Sequence, residues 1–491
     1  MTGIFKTSYK NIFILSLLVF VITAFFSEGY HHPDEHFQIL EFCNYKLGNI
    51  QPSTLPWEFN AQIRPALPVF IAFVIIKCLS FLTISNPFII AFILRLLTAL
   101  SAWYIISKLC LKFLDNFRTE KGRKLFLAMS LLLWFVPYLS VRFSSENLAG
   151  IIFLYALYLL LNLPDLSTAK KTISLLGAGL LLGFSFFFRF QMAFVIIGLG
   201  FWLIFINKMK WNHILLLITA GLISIFTCIC IDHWFYGEWV LSPLNYYTAN
   251  IVHNVAANWG VNPWWYYFYM FFIQAIPPIS LLLLLCFFFG IYKKPRNVFV
   301  WCLIPFLIAH FAVDHKEMRF LFPMVFGFIY IASIGIDYFI SSQKYLKAGK
   351  ILFVFLMVIN VFLIVVKMIT PAQEAVKSYK FLYSFSQNKQ IDLFCIEKNA
   401  YELVGLNMSF YKSPGVTCVV MKDDEAFMKY LDTNKPDSVY LFERNYSSDK
   451  QFQGYDHKYL YCLFPNWLLQ FNINNWESRA RIWDIQLLTK K

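Results

Sequence analysis

Carboxylates placed to take a proton from an incoming hydroxyl are the first chemistry legible in this chain. Asp34 and Glu35 lie in the polar stretch His31-His32-Pro33-Asp34-Glu35-His36-Phe37-Gln38-Ile39-Leu40-Glu41, a few residues beyond the first long apolar run. Pro33 suits the first position of a helix, where its missing N–H would be unpaired in any case, so both carboxylates fall in the first turn. There the helix dipole favours their ionised forms. At helical spacing Asp34, Gln38 and Glu41 share one face, while Phe37, Leu40 and Phe42 point elsewhere, which suits a helix lying along a membrane surface. Capping alone would also account for such a stretch, so the remainder of the chain must decide its weight.

A second polar group, Asp314-His315-Lys316-Glu317-Met318-Arg319, interrupts two apolar runs. A short connection between membrane helices needs no such density of charge. Two cations and a histidine suit a phosphate, with Arg319 able to bind it bidentately and Lys316 acting as a point charge. Other polar residues are weaker signals one by one. Arg142 and Glu146 are spaced to cap a hairpin as an ion pair, and Arg189 between phenylalanines can snorkel to an interface. Asp232 and Asn245 fall in a long connection with Trp239, Trp259, Trp264, Trp265 and Tyr266-Tyr267, a belt that serves equally as an interfacial anchor or a sugar-stacking wall. No cysteines are paired at metal-ligand spacing, and neither a metal nor a cofactor is expected.

The elements that must position these groups are membrane helices. With 59% hydrophobic and 14% charged residues in 491, the chain reads as a polytopic membrane protein. A net charge of +14 would suggest nucleic acid in a soluble chain, but here the basic residues cluster between apolar runs, and no nucleic-acid partner is expected. The runs are Asn11–Phe26, Pro65–Leu82, Pro87–Leu109, Leu125–Val141, Leu148–Leu163, Thr172–Phe188, Met192–Ile206, His213–Ile231, Tyr269–Gly290, Val298–Val313, Phe320–Ile340 and Ile351–Ile369. Behind Lys6 and Lys10, and without a small-residue cleavage site, the first reads as a retained anchor. Hydropathy falls after Thr370, which predicts a membrane domain over 1–369, with the catalytic first loop at 27–64, and a small mixed α/β soluble domain over 370–491. Cys395, Cys418 and Cys462 allow one disulfide if that tail is exported, without choosing the pair. The sequons Asn407-Met408-Ser409 and Asn445-Tyr446-Ser447 decide nothing.

Short basic loops stay cytoplasmic. Five of them follow one another: Lys112 to Lys124, Lys170-Lys171, Lys208 with Lys210, Lys293 to Arg296, and Lys344 to Lys350. Asp34, Arg142 to Asn147, Arg189 to Gln191, Asp232 to Tyr267, Asp314 to Arg319 and the tail then face the other side. Keeping that order leaves one run too many before Lys108. Pro65–Leu82, weakened by Pro65, Pro68 and Lys77, is read as re-entrant or interfacial, and Pro87–Leu109 as spanning.

A carboxylate, a cationic phosphate site and a membrane cavity fit transfer of a sugar from a polyprenyl phosphate. The leaving group is already a stable phosphate anion, so one base for the acceptor hydroxyl suffices and no metal is needed. In these features the chain resembles glycosyltransferase family 22, the dolichyl-phosphate-mannose-dependent α-mannosyltransferases of GPI-anchor and N-glycan assembly. His32-Pro33-Asp34-Glu35 with Gln38 is similar to the first-loop signature of its GPI branch, and His315-Lys316-Glu317 with Arg319-Phe320 and Pro323 to its late-loop signature. Asp232, Tyr236-Gly237, Trp239, Asn245 and Pro263-Trp264 also resemble the family pattern. Asn262 stands where histidine is expected, and Phe190 where proline is expected.

The resemblance implies an all-α polytopic GT-C fold and inversion at the mannose carbon, possible α-1,2 linkage included. It implies Asp34 as base with Glu35 beside it, His315, Lys316 and Arg319 on the donor phosphate, and His32, Gln38, Arg142, Glu146, Arg189, Asp232, Asn245 and Trp264 on substrate. The partners it implies are a polyprenyl-phosphate sugar donor, a lipid-linked glycan acceptor and membrane lipids. It sets the enzyme in the endoplasmic reticulum membrane of a eukaryote or the cytoplasmic membrane of a bacterium, working on the luminal or periplasmic side. Two alternatives stay open: another polyprenyl-phosphate-sugar transferase, of protein O-mannosyl or aminoarabinose type, and a lipid-linked glycan transporter.

The charge pattern makes a direct prediction. Cysteines introduced near Lys121, Lys171 and Lys294 are expected to react with an impermeant maleimide only from the cytoplasm, and those near Asp34 and Lys316 only from the opposite side. Labelling of Asp34 and Lys121 variants from one side would overturn the orientation.

Overall fold

A computed structural model describes residues 9–341, 346–444, 452–465, 468, 471, 476 and 483–491, with side chains omitted for 346–350. Lys6, Lys344 and the Asn445-Tyr446-Ser447 sequon lie outside the described residues.

The helices, in order, are α1 (Lys10–Phe26), α2 (Pro33–Glu35), α3 (Phe42–Lys46), α4 (Trp57–Asn60), α5 (Leu67–Phe81), α6 (Pro87–Phe113), α7 (Glu120–Leu132), α8 (Phe135–Ser140), α9 (Ser145–Leu161), α10 (Thr168–Phe188), α11 (Met192–Phe201), α12 (Trp211–Tyr236), α13 (Ser242–Tyr247), α14 (Tyr266–Gln274), α15 (Ile279–Lys293), α16 (Val298–Ala312), α17 (Val325–Ser341) and α18 (Leu346–Ile369). Five helical stretches among the described residues are long and apolar enough to cross a membrane: Pro87–Asn116, Thr168–Phe188, Trp211–Tyr236, Met318–Ser341 and Ile351–Ile369. Two compact units divide the chain, one of Met1–Ser27, Trp57–Ile75 and Phe92–Thr370, the other of Glu28–Pro56, Ile76–Ala91 and Pro371–Lys491.

Two apolar runs that read as single helices are broken. Leu125–Val141 stops at Leu132 and restarts at Phe135, and the side-chain amide of Asn360 takes both freed backbone groups, accepting from Trp134 N and donating to Leu132 O at 2.9 Å each. A distant residue thereby supplies what an apolar surrounding cannot. Tyr269–Gly290 breaks at Pro277-Pro278, residues without an N–H to continue a helix, and Ser280 Oγ donates to the carbonyl of Phe272 at 2.8 Å.

The first unit has two polar ends. At one, the basic loops are tied together: Lys112 to Asp165 at 3.2 Å, Trp202 Nε1 to Arg296 O at 2.9 Å, and Asp337 accepting from Arg118 N at 2.8 Å and Thr119 Oγ1 at 2.9 Å. At the other, Arg142 donates to Ser27 O at 2.6 Å, Arg95 to Ala24 O at 2.9 Å, and Ala66 N to Asp232 at 2.7 Å. Ala66 precedes α5 and Arg95 lies in α6, so the chain between them makes no net passage to the basic end. The 15 residues of α5 span about 22 Å, short of a ~30 Å hydrocarbon core.

Small residues bring the helix pairs into backbone contact. A Cβ added at Gly290 would stand 2.1 Å from Ile331 O, and one at Gly335 2.0 Å from Cys286 O, locking α15 to α17; Gly179 and Gly183, four apart on α10, meet Leu217 O at 2.5 Å and Gly221 O at 2.6 Å on α12. Close approach of this kind is how helices associate where lipid removes the hydrophobic drive.

The second unit holds α19 (Ala375–Phe385), β1 (Ile391–Ile396), β2 (Glu402–Leu403), β3 (Leu406–Asn407), β4 (Val416–Met421), α20 (Asp424–Asn434), β5 (Ser438–Glu443), β6 (Tyr455–Cys462) and β7 (Asp484–Lys490). Five strands form a mixed sheet in the order β4-β1-β5-β7-β6, with β1 parallel to β4 and β5, and β7 antiparallel to β5 and β6. Cys395 and Cys418 sit on neighbouring strands and Cys462 on the far edge, and all three are free thiols.

Replacing Gly335 with leucine is expected to destabilise the protein by at least the ~1–3 kcal/mol of ordinary overpacking, because the atom it meets is a carbonyl of a neighbouring helix. A melting temperature in detergent equal to that of the wild type would refute the close contact.

Candidate active site

Helix geometry in the first loop is set by its cap. His32 is the N-cap, its Nδ1 accepting from Asp34 N at 3.3 Å and lying 3.4 Å from Asp34 Oδ1, while Glu35 accepts from His31 N at 3.2 Å. Asp34 keeps a 20% exposed side chain, so it retains access to an incoming group. Beyond Glu35 the helix widens into a π-turn, His36–Glu41, before α3 resumes.

That widening overturns the expected surface helix. Every residue of the π-turn is buried, including Gln38 and Glu41, so no acidic stripe faces a membrane surface. Residues five apart stack in a π-turn, and His36 Nε2 reaches Glu41 Oε1 at 2.8 Å. The same oxygen accepts from Phe410 N at 2.8 Å, and Glu41 Oε2 from Asn44 at 3.3 Å. The His36 ring stacks on Tyr411, 5.4 Å between centroids and 16° between planes, and Tyr411 stacks on Phe88. The first loop is thus built into the same unit as the tail, through a carboxylate that local spacing did not single out.

In the first unit, the ends of α9, α10 and α16 carry the charged cluster. Ser144 caps α9 by accepting from Asn147 N, which sets Glu146 in the first turn, 4% exposed. Glu146 Oε1 lies 3.4 Å from Arg189 Nη2 and 3.4 Å from Arg319 Nη1. Arg319 Nε also donates to Glu317, whose other oxygen lies 2.8 Å from His315 Nε2. His315 Nδ1 is 3.0 Å from Gly260 O. Carbonyl and carboxylate both accept, so the ring satisfies both neighbours only as the imidazolium. Arg189 does not snorkel: it is 7% exposed, with its guanidinium 4.9 Å above the Phe320 ring.

Lys316 works mainly on backbone. Its ammonium donates to Asn262 O at 2.9 Å and to Val313 O, and Asn262 N donates to Asp314 O at 2.9 Å, so the late loop and the 254–262 segment are clasped together. Burial lowers the Lys316 pKa below the usual lysine range, with Asp314 pulling the other way. Asn262, the departure from the expected histidine, takes part through main-chain atoms.

Asp232 and Asn245 belong to a different knot. Asp232 is fully buried and accepts from Ala66 N at 2.7 Å and Ser242 Oγ at 2.5 Å; Tyr236 donates to Arg64 O at 2.7 Å and Asn245 to Gln62 O at 3.3 Å. Together they pin the segment before α5 to the connection after α12. Arg142, 1% exposed, holds Ser27 O and faces Tyr138 at 5.3 Å, and Trp264 stays 64% exposed beside Phe268 and Phe311. Among the described residues no group of three His, Cys, Asp or Glu side chains is placed to hold a metal ion.

The chain can now be set beside known proteins. The family model described as Alg9-like mannosyltransferase matches residues 11–418. Mannosyltransferase APTG1 of Arabidopsis thaliana is 26% identical over 323 residues, 65% of this chain and 57% of its own length. GPI alpha-1,2-mannosyltransferase 3 of Bos taurus is 24% identical over 353 residues, 71% of this chain and 62% of its own. GPI mannosyltransferase 4 of Saccharomyces cerevisiae is 29% identical over 320 residues, 60% and 58%. The chain therefore spans less than two thirds of the length of these relatives. ArnT from Cupriavidus metallidurans, in its crystal structure bound to undecaprenyl phosphate, superposes with a TM-score of 0.55 at 11% identity over 98% of both chains, which shows the GT-C fold. With residues 11–418 of its 491 matched, this integral membrane protein belongs to the Alg9-like mannosyltransferase family.

Proposed function

We propose that the chain is an inverting mannosyltransferase, moving mannose from a polyprenyl phosphate to a lipid-linked glycan of the GPI-precursor or bacterial surface type. The observation that carries this reading is the buried cluster of the first unit. Arg189, Lys316 and Arg319, with His315 as imidazolium, set four positive charges against the carboxylates of Glu146 and Glu317. A buried excess of positive charge is costly unless an anion offsets it. A phosphomonoester or phosphodiester head is such an anion, and Arg319 and His315 are assigned to it, with Lys316 fixing the loop that presents them.

In the reaction the bond from the mannose carbon to the phosphate oxygen breaks as the acceptor oxygen bonds to that carbon from the opposite face. The acceptor proton passes to a carboxylate, for which Asp34 is the assigned base because it keeps its access while His32 fixes its backbone. Glu35, bonded to His31 N, is its neighbour and rival. The leaving phosphate departs as an anion and asks for no general acid. The GPI mannosyltransferases among its relatives place the enzyme in the endoplasmic reticulum membrane, or the cytoplasmic membrane in a bacterium, with these residues on the luminal or periplasmic side.

The test is transfer of radiolabelled mannose from polyprenyl-phosphate-mannose to a lipid extract by purified protein, with aminoarabinose and glucose donors in parallel arms. Exclusive use of another sugar would replace mannose in this reading. Asp34→Asn is expected to leave folding and donor binding intact and to lower turnover ~100-fold or more, the loss typical of a general base. Glu35→Gln is expected to cost less, and the reverse order would move the base to Glu35. Arg319→Ala is expected to weaken donor binding by ~1.5–3 kcal/mol, the worth of a hydrogen bond to a charged group. An unchanged donor affinity would remove its phosphate role.

A further inference from the structure

Several buried polar atoms that the chain leaves without partners collect in one place beside the charged cluster. They are Arg189 Nε, His310 Nε2, Gln191 Oε1 and Tyr267 Oη. Arg189 and His310 are 7% and 5% exposed and Tyr267 3%, so solvent does not serve them. The Tyr267 and His310 rings stand 6.4 Å apart, His310 is 6.4 Å from the Phe320 ring over which Arg189 lies, and Arg189 is within electrostatic reach of both Tyr267 and His310. Gln191 joins through Tyr246, which accepts from its Nε2 at 2.6 Å and also interacts with Tyr267. Buried polar groups are as a rule paired, so a cluster of orphans needs an explanation.

Their chemistry narrows what can satisfy them. His310 Nδ1 is 2.8 Å from Phe306 O, an acceptor, so Nδ1 carries the hydrogen and Nε2 of the neutral ring offers a lone pair. Gln191 Oε1 also only accepts, Arg189 Nε only donates, and Tyr267 Oη does either. A phosphate has acceptors alone and would leave His310 and Gln191 unmet. A hydrocarbon chain would meet none of them. Hydroxyl groups donate and accept at once, and a hexose presents several within a few ångströms.

We propose that Arg189, Gln191, Tyr267 and His310 form a subsite for the hydroxyl groups of a hexose, the sugar carried by the lipid phosphate, next to the cations that take that phosphate. The proposal rests on the sugar-transfer reading and adds to it the residues that distinguish a sugar-bearing donor from the bare lipid. Arg189 links the two parts, since one edge of its guanidinium holds Glu146 while Nε faces His310 and Tyr267.

The experiment measures equilibrium binding of polyprenyl-phosphate-mannose and of bare polyprenyl phosphate to the full-length protein in detergent. The wild type is expected to favour the sugar-bearing lipid by on the order of tenfold, the worth of one or two hydrogen bonds. His310→Phe keeps the ring and removes the acceptor, and is expected to bring that ratio close to one while bare polyprenyl phosphate binds as before. His310→Gln, which sets an amide oxygen near the former Nε2, is expected to keep most of the preference. Tyr267→Phe is expected to lose several-fold and carries the test if the His310 variants do not fold. A wild-type ratio of one, or a ratio unchanged in both His310→Phe and Tyr267→Phe, overturns the subsite. Variants that leave the ratio intact and raise only the acceptor KM also overturn it, by assigning these groups to the acceptor glycan. Failure of mannose transfer by wild-type protein with the ratio intact would sink the proposed reaction and leave the subsite standing.

Discussion

Two guanidinium groups converge on one buried carboxylate, and the polar end of the first unit is arranged around that convergence. Glu146 comes from the first turn of α9, Arg189 from the end of α10 and Arg319 from the turn after α16, so three chain reversals must meet within 3.4 Å of one oxygen. Removing one partner of such a buried group costs ~3–5 kcal/mol, which makes the meeting point intolerant of drift. The glycine contacts that hold α15 to α17 and α10 to α12 supply the matching rigidity, since backbones in contact leave little room to slide. A site fixed in this way can hold unpaired polarity toward a ligand without collapsing onto it.

Membrane class, basic loops and charged connections were legible because each depends on composition or short spacing. The five basic loops are visible in the sequence, and where they are described the fold ties them together through Lys112, Asp165, Arg118, Asp337, Trp202 and Arg296. The density of charge in Asp314 to Arg319 likewise pointed to a site. The partners of those charges were not legible, because Glu146 meets Arg189 and Arg319 from 43 and 173 residues away, where no periodicity relates them. Lys316 shows the limit well: its type suggested a phosphate ligand, yet its hydrogens go to backbone carbonyls that no sequence marks.

Helix interruptions were missed for a related reason. An apolar run announces that a segment can be buried, and says nothing of whether some distant amide will satisfy a break in it. Asn360 does so for Leu132 and Trp134 from α18. Pro277-Pro278 was a local signal that hydropathy averaged away. His310, Gln191 and Tyr267 escaped notice because what distinguishes them is a missing partner, a property that exists only once neighbours are known.

The π-turn between His36 and Glu41 carries a consequence for how this loop tolerates change in length. A π-turn is what an α-helix becomes on taking in one extra residue. A chain shorter by one residue between those positions would close as plain α-helix, and everything beyond would rotate by ~100° about the axis relative to Asp34. The glutamate side chain would then swing away from both the histidine and the amide of Phe410. Substitution at Phe37, Ile39 or Leu40 only changes what packs there, whereas a single-codon deletion re-phases the loop against its own anchor.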